Sequence, residues 1–124
     1  MSDKVEKAMY TLIKSVYTNV YRQRAPQSPT FPHAVCFISS ATPTTPSTDY
    51  YFEVNVYDLP SSSAKAIRDI ADSIADLLDC RVLIQDGLNI HSVLEQQQYV
   101  SSTDLVDAQM INMRFVVRAY EIGG

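Results

Sequence analysis

The sequence is poor in glycine, with three in 124 residues, at positions 87, 123 and 124. A glycine-rich loop that cradles a phosphate therefore has no place in it, and no GxSxG nucleophile elbow occurs. Tryptophan is absent, and the two histidines, His33 and His91, lie far apart and outside any recognised catalytic spacing. These absences argue against an enzyme, and we expect no catalytic residues, no cofactor and no metal.

Cysteine and long apolar runs are scarce as well. Cys36 and Cys80 have no CxxC spacing, and buried thiols are their simplest interpretation, although pairing stays open. No apolar run approaches the roughly 20 residues of a transmembrane helix, and MSDKVEKAMY lacks the apolar region of a signal peptide. The net charge of −4 opposes the basic surface that nucleic-acid binding needs. We therefore expect a cytoplasmic product without membrane insertion or specific nucleic-acid binding.

The clearest pattern present is a strand followed by a helix. From Tyr50 to Tyr57 apolar and polar positions alternate, which is typical of a half-buried strand. Pro60 ends it, and the serines at 61–63 can cap a helix. One face of the strand carries Tyr50, Phe52, Val54 and Val56, and the other carries Tyr51, Glu53, Asn55 and Tyr57. The helix that follows has an apolar stripe of Ile67, Ile70, Ala71, Ile74, Leu77 and Leu78. Strand and helix can bury these faces against each other.

The rest of the chain is arranged around this pair. The patterns predict a helix from Lys4 to Tyr21, a buried strand at His33 to Ile38, a projecting loop at Ser39 to Thr48, short strands at Arg81 to Ile84 and Leu88 to Tyr99, a polar loop at Ser101 to Asp107, and a strand at Gln109 to Glu121. The predicted fold is one α+β domain over residues 1–124. It has a mainly antiparallel sheet of four to five strands with two helices packed on one face, in the order α-β-β-α-β-β.

The candidate functional residues are polar and surface-directed. Tyr51, Glu53, Tyr57, Arg114 and Arg118 are predicted on the sheet face away from the helices, and tyrosine and arginine dominate interface hot spots. Acidic residues form a stripe on the second helix, namely Asp69, Asp72, Asp76 and Asp79, which is either a contact for a basic neighbour or an ordinary solvated face. Thr44 and Thr45 complete the predicted interface set because they lie in the projecting loop.

The order of these segments resembles the tail terminator and tail-completion proteins of long-tailed bacteriophages. The segments that carry the likeness are FPHAVCFI, FEVNVYD, the helix of form AxxIxDxAxxIxxLLD and the closing MRFVVRAYE. The resemblance implies a virion protein, assembled in the host cytoplasm, that forms a ring, typically of six copies, at the head-proximal end of the tail. Such a ring caps the tail tube, stops its polymerisation and offers a surface to the head connector, and DNA may pass through it.

We add one hypothesis to this resemblance: the acidic stripe meets a basic patch on the next copy, such as Arg22, Arg24, Arg114 or Arg118. Two other functions stay open. One is a different connector, neck or tube component of a virion. The other is a small ligand-binding or enzymatic α+β domain, which needs polar groups converging between helices and sheet.

Overall fold

The computed structural model describes residues 1–60, 62–100 and 108–122. The elements in chain order are α1 (Ser2–Lys14), β1 (Val20–Arg22), β2 (His33–Pro43), β3 (Thr48–Asp58), α2 (Ala64–Leu78), β4 (Arg81–Gln85), β5 (Leu88–Val100) and β6 (Gln109–Glu121). The loop predicted at Ser101 to Asp107 lies outside the described residues, as do Ser61 and the two terminal glycines.

All of these strands belong to one six-stranded sheet in the order β1-β2-β3-β6-β5-β4. Neighbouring strands are antiparallel except β1 and β2, which are parallel. The α+β class is therefore confirmed. The prediction of a mainly antiparallel sheet of four to five strands, in the order α-β-β-α-β-β, is wrong in detail, because the sheet is mixed and β1 was missed.

Strand β1 overlaps the end of the stretch that was predicted to be helical, at Val20 and Tyr21. Helix α1 ends at Lys14 rather than near Tyr21, and Val16, which lies beyond the end of the helix, is 51% exposed. Residues 15–20 include serine, valine, threonine and asparagine, which are weak helix formers. Val20 to Arg22 instead gain backbone pairing along β2, and a contact between distant parts of the chain outweighs a weak local preference.

The segment from Ser39 to Thr48, predicted as a loop, is mostly strand. β2 continues to Pro43 and β3 begins at Thr48, so residues 44–47 alone form the turn, closed by a 2.8 Å bond from the Thr44 amide to the Ser47 carbonyl. This arm of the hairpin is exposed and therefore lacks the alternation of apolar residues that marks a half-buried strand.

Both helices pack on the same face of the sheet and share one core. The predicted stripe of α2 faces this core, with Ile67, Ala71 and Ile74 fully buried. Opposite it lie the buried residues of β3 and β6, which are Tyr50, Phe52, Val54, Val56, Ile111, Met113, Phe115, Val117 and Ala119. The Ser63 hydroxyl caps α2 by accepting a hydrogen bond from the Lys65 amide. The docking of this helix on the sheet is thus confirmed.

The two cysteines are free thiols with different surroundings. Cys36 is buried as expected, and desolvation, reinforced by the charge of Glu6, raises the pKa of its thiol to about 12. Cys80 is exposed, so the expectation of two buried thiols is wrong. It follows α2 in a left-handed conformation (φ 55°), where the chain turns sharply into β4 and directs the side chain outward.

Candidate interaction surfaces

The sheet face opposite the helices, called the outer face below, carries the predicted polar residues. In the register of the strands Glu53 pairs with Arg114, and Tyr51 pairs with Val116. Tyr51, Glu53, Tyr57, Arg114 and Arg118 all lie on this face, as the alternation of the sequence predicted. Their position is as expected, and their role in an interface stays a prediction.

The two arginines of the outer face are held by acidic neighbours within the same chain. Arg114 donates to Glu95 through Nε and Nη2 at 3.0 and 2.6 Å, and its guanidinium carbon lies 4.8 Å from the ring centre of Tyr51. Arg118 forms a two-pronged contact with Asp49 at 2.8 and 3.1 Å, and this hydrogen bonding lowers the pKa of the Asp49 carboxyl. The middle of the outer face is therefore an ordered polar surface.

Glu95 is a contributor that the sequence reasoning missed. The pairing of β5 with β6 shifts between Leu94 and Gln96, so Glu95 is the extra residue of a bulge. This insertion brings its carboxylate to Arg114. The sequence did contain a signal, because the alternation along β5 breaks at Glu95.

The acidic stripe of α2 is separate from the outer face. Asp69 accepts from Lys65 at 2.7 Å, and Asp72 accepts from Gln97 of β5 at 3.3 Å. Asp79 accepts from the Leu94 amide at 2.9 Å. Because these contacts reach β5, the stripe lies near the β5–β4 end of the sheet, on the helix side. Thr44 and Thr45 lie apart from both the outer face and the acidic stripe, in the exposed turn between β2 and β3.

A cleft of about 370 Å³ opens on the outer face at the β1–β2 end of the sheet. We call it the His33 cleft. Its lining is largely apolar and comprises Gln23, Arg24, Ala25, Pro29, Phe31, His33, Val35, Phe37, Asn55 and Tyr57. Tyr57 alone of the predicted interface set belongs to it. In the sequence, the alternation of Phe31, His33, Val35 and Phe37 was the signal that these four side chains share one face.

His33 is the unusual side chain of this cleft. It is 4% exposed and lies between the rings of Phe31 and Tyr57, at 4.9 and 5.2 Å between ring centres. Its Nδ1 has no hydrogen-bond partner among the described residues. Burial lowers the pKa of the imidazole. The cleft therefore holds a neutral polar group that lacks a partner.

Exposed apolar side chains gather at the opposite end of the sheet. Val82 and Ile84 of β4 and Val93 of β5 are 57%, 67% and 50% exposed, and their strand register places them on the outer face. We call these three residues the β4 patch. Among the described strands β4 is at the edge of the sheet and pairs with β5 alone, so its other edge has no strand partner in this part of the chain. Proteins usually protect such an edge with charged side chains or cover it with a helix or loop.

Two kinds of feature are not found among residues 1–60, 62–100 and 108–122. This part of the chain contains no group of three or more histidine, cysteine, aspartate or glutamate side chains arranged to hold a metal ion. Neither of its helices has the length and apolar character needed to cross a membrane. What stands out is a set of surfaces suited to contact with other molecules.

No protein-family model matches this chain, and no curated protein matches it. Its fold does match solved structures. A chain of the "Virion of native gene transfer agent (GTA) particle" superposes with a TM-score of 0.73 at 15% identity, covering 93% of each chain. A second solved chain, whose name states no function, superposes with a TM-score of 0.68 at 13% identity, covering 97% of this chain and 93% of its own. This protein thus shares its fold, over nearly its whole length, with a chain of a virion particle.

Proposed function

We propose that this protein is a structural component of a virion, without catalytic activity, that assembles with other virion proteins. The observation that carries this proposal is the fold shared with a chain of a phage-like particle over 93% of both chains. Within that class, the order of segments favours a tail terminator. Copies of the chain then form a ring at the head-proximal end of the tail, which caps the tube and meets the head connector.

The distribution of charge supports a head-to-tail ring, in which each copy uses two different surfaces. The acidic stripe lies near the β5–β4 end of the sheet, and two of the arginines, Arg22 and Arg24, lie at the β1–β2 end. Arg22 is engaged with Asp3 and Glu6, and Arg114 and Arg118 have partners on the outer face. Of the four arginines in the original hypothesis, Arg24 has no ion pair within the described chain. It is therefore the best partner for Asp72 and Asp76 of a neighbour.

Light scattering and electron microscopy over a range of protein concentrations test the ring. A closed species of uniform mass, about six copies, is the expected result, and a monomer at every concentration would contradict it. Capping is tested by adding the protein to growing tubes of the tail tube protein from the same virion. Growth should stop with the protein at one tube end. If the protein itself polymerised into long tubes, it would be a tube component instead.

A second candidate function rests on the His33 cleft. Its volume of about 370 Å³ is near the lower limit of small-molecule sites, which span about 300–1,000 Å³. It lies on the outer face rather than between helices and sheet, where the rival ligand-binding domain was expected. A fragment screen read by chemical-shift changes at His33 and Tyr57 tests this candidate. Saturable binding would favour a ligand site, and unchanged shifts would exclude one for the compounds used.

A further inference from the structure

The two apolar surfaces described above lie at opposite ends of one sheet. The β4 patch presents Ile84 and Val82 to solvent on the edge strand, while the His33 cleft is an open hollow with an aromatic lining. A head-to-tail contact between identical copies requires two different surfaces on each copy.

We propose that the β4 patch of one copy docks into the His33 cleft of the next copy. The inference rests on the proposed ring and names the contact that closes it. The occupant is a second copy of this chain, because the chain itself exposes apolar side chains that can fill an apolar cleft, with an acidic residue beside them and Arg24 in the cleft.

Charge beside the two surfaces favours the contact. Arg24 lines the cleft and has no ion pair among the described residues, whereas the nearby Arg22 is paired with Asp3 and Glu6. At the opposite end, Asp86 lies in the turn after β4, close to Ile84, and Glu121 of β6 pairs with Leu88 beside that turn, while Arg81 lies at the far end of β4. Docking of Ile84 in the cleft brings Asp86 towards Arg24, and opposite charges of this kind assist association.

Two single variants and their mixture test the proposal. Ile84→Glu places a charge in the β4 patch, and Ala25→Trp fills the cleft. Val16→Glu, at a comparably exposed valine just after α1, is the matched control. Mass is measured by light scattering at a concentration where the unmodified protein forms rings. Each test variant should raise the dissociation constant of the subunit contact at least about tenfold and give monomers, whereas the control should form rings.

The mixture distinguishes a two-surface contact from a general loss of stability. Ile84→Glu keeps an intact cleft and Ala25→Trp keeps an intact patch, so together they should form a 1:1 heterodimer and nothing larger. Val82→Glu and Phe37→Glu repeat the test at independent positions, and circular dichroism checks that every variant is folded.

The outcomes separate the failure of this contact from the failure of the ring. Rings of normal size from both folded test variants would overturn the proposed contact and leave the ring intact. A mixture of folded variants without heterodimer would also overturn it. An unmodified protein that stays monomeric at every concentration would overturn both the ring and the contact.

Discussion

Glu6 is a buried carboxylate on α1 that joins three parts of the structure. It is 6% exposed and accepts hydrogen bonds from the Arg22 side chain and from the Ile38 amide, at 3.1 and 3.3 Å. The sequence Asp3 to Glu6 resembles a capping box, but the N-cap of α1 is Met1 and makes no side-chain bond. The carboxylate instead satisfies groups of β1 and β2.

Replacing Glu6 with alanine should therefore destabilise the fold. The Ile38 amide and the Arg22 guanidinium lose a partner in a partly buried site, and such losses cost about 1–3 kcal/mol in the free energy of unfolding. Urea denaturation measures this change. The control is Asp3→Ala, because Asp3 also pairs with Arg22 but its side chain is 81% exposed, and its loss should cost less than about 1 kcal/mol. Equal effects of the two substitutions would contradict the role given to Glu6.

His33 predicts a dependence of stability on pH. Burial lowers the pKa of the folded imidazole, while the unfolded chain takes up a proton near its ordinary value of about 6.5. The aromatic rings of Tyr21, Phe31 and Tyr57 surround it, and Arg24 lines the same cleft. The contribution of neutral His33 is therefore complete above about pH 6.5 and is lost as the pH falls towards the folded pKa.

Urea denaturation at pH 7.5 and pH 5.5 tests this prediction. The unmodified monomer should lose stability between these values by at most about 1.4 kcal/mol per pH unit below 6.5, and His33→Phe should remove most of that loss. His91→Gln is the control, because His91 is the second histidine and is exposed on the outer face. An undiminished loss in His33→Phe would show that other groups cause the pH dependence.

Helix α2 contributes to the fold mainly through one face. Ile74 is fully buried in the core shared with β3 and β6, while Asp76, two residues later, is exposed. Ile74→Ala should lower the free energy of unfolding by about 2–5 kcal/mol, because it removes apolar contacts and leaves a cavity. Asp76→Ala should change it by no more than about 0.5 kcal/mol. Thermal or urea unfolding of both variants measures the contrast, and similar losses would mean that α2 is not docked by this stripe.

Whether an element could be predicted from the sequence depends on which contacts stabilise it. β3, α2 and β6 each bury one face against the core, so the spacing of their apolar residues reports the structure directly. β1 consists of Val20 to Arg22 and exists through its pairing with β2, which no local pattern reveals. The outer arm of the β2–β3 hairpin buries little on either face. The spacing of apolar residues therefore does not predict elements of these two kinds.

The same reasoning separates the predicted from the unpredicted surfaces. Alternation along β3 and β6 was sufficient to place Tyr51 and Arg114 on the outer face. The His33 cleft combines the connection at 23–31 with residues of β2 and β3, so it is defined only by the tertiary structure. Exposure of Ile84 on β4 was likewise not predictable, because the position of β4 at the edge of the sheet depends on strand order.

At the scale of the whole molecule, we propose that contact between the acidic stripe of one copy and Arg24 of the next gives the ring its direction. Reversing Asp72 and Asp76 to lysine then places positive charge opposite Arg24 in that proposed contact. We expect this double variant to remain folded, because Asp76 is exposed and Asp72 makes one 3.3 Å contact to Gln97, and to be monomeric by light scattering.

The proposed charge contact leads to two further expectations, one for this double variant and one for the unmodified protein. Adding Arg24→Glu to the double variant reverses both ends and should restore rings, since opposite charges face each other again. Salt of about 1 M should weaken the unmodified ring, because it shortens the screening length to about 3 Å. Rings that form normally from the folded double variant would remove the acidic stripe from the contact. The β4 patch would then have to hold neighbouring copies together without the acidic stripe. Adding Ile84→Glu to the double variant measures the contribution of the patch separately.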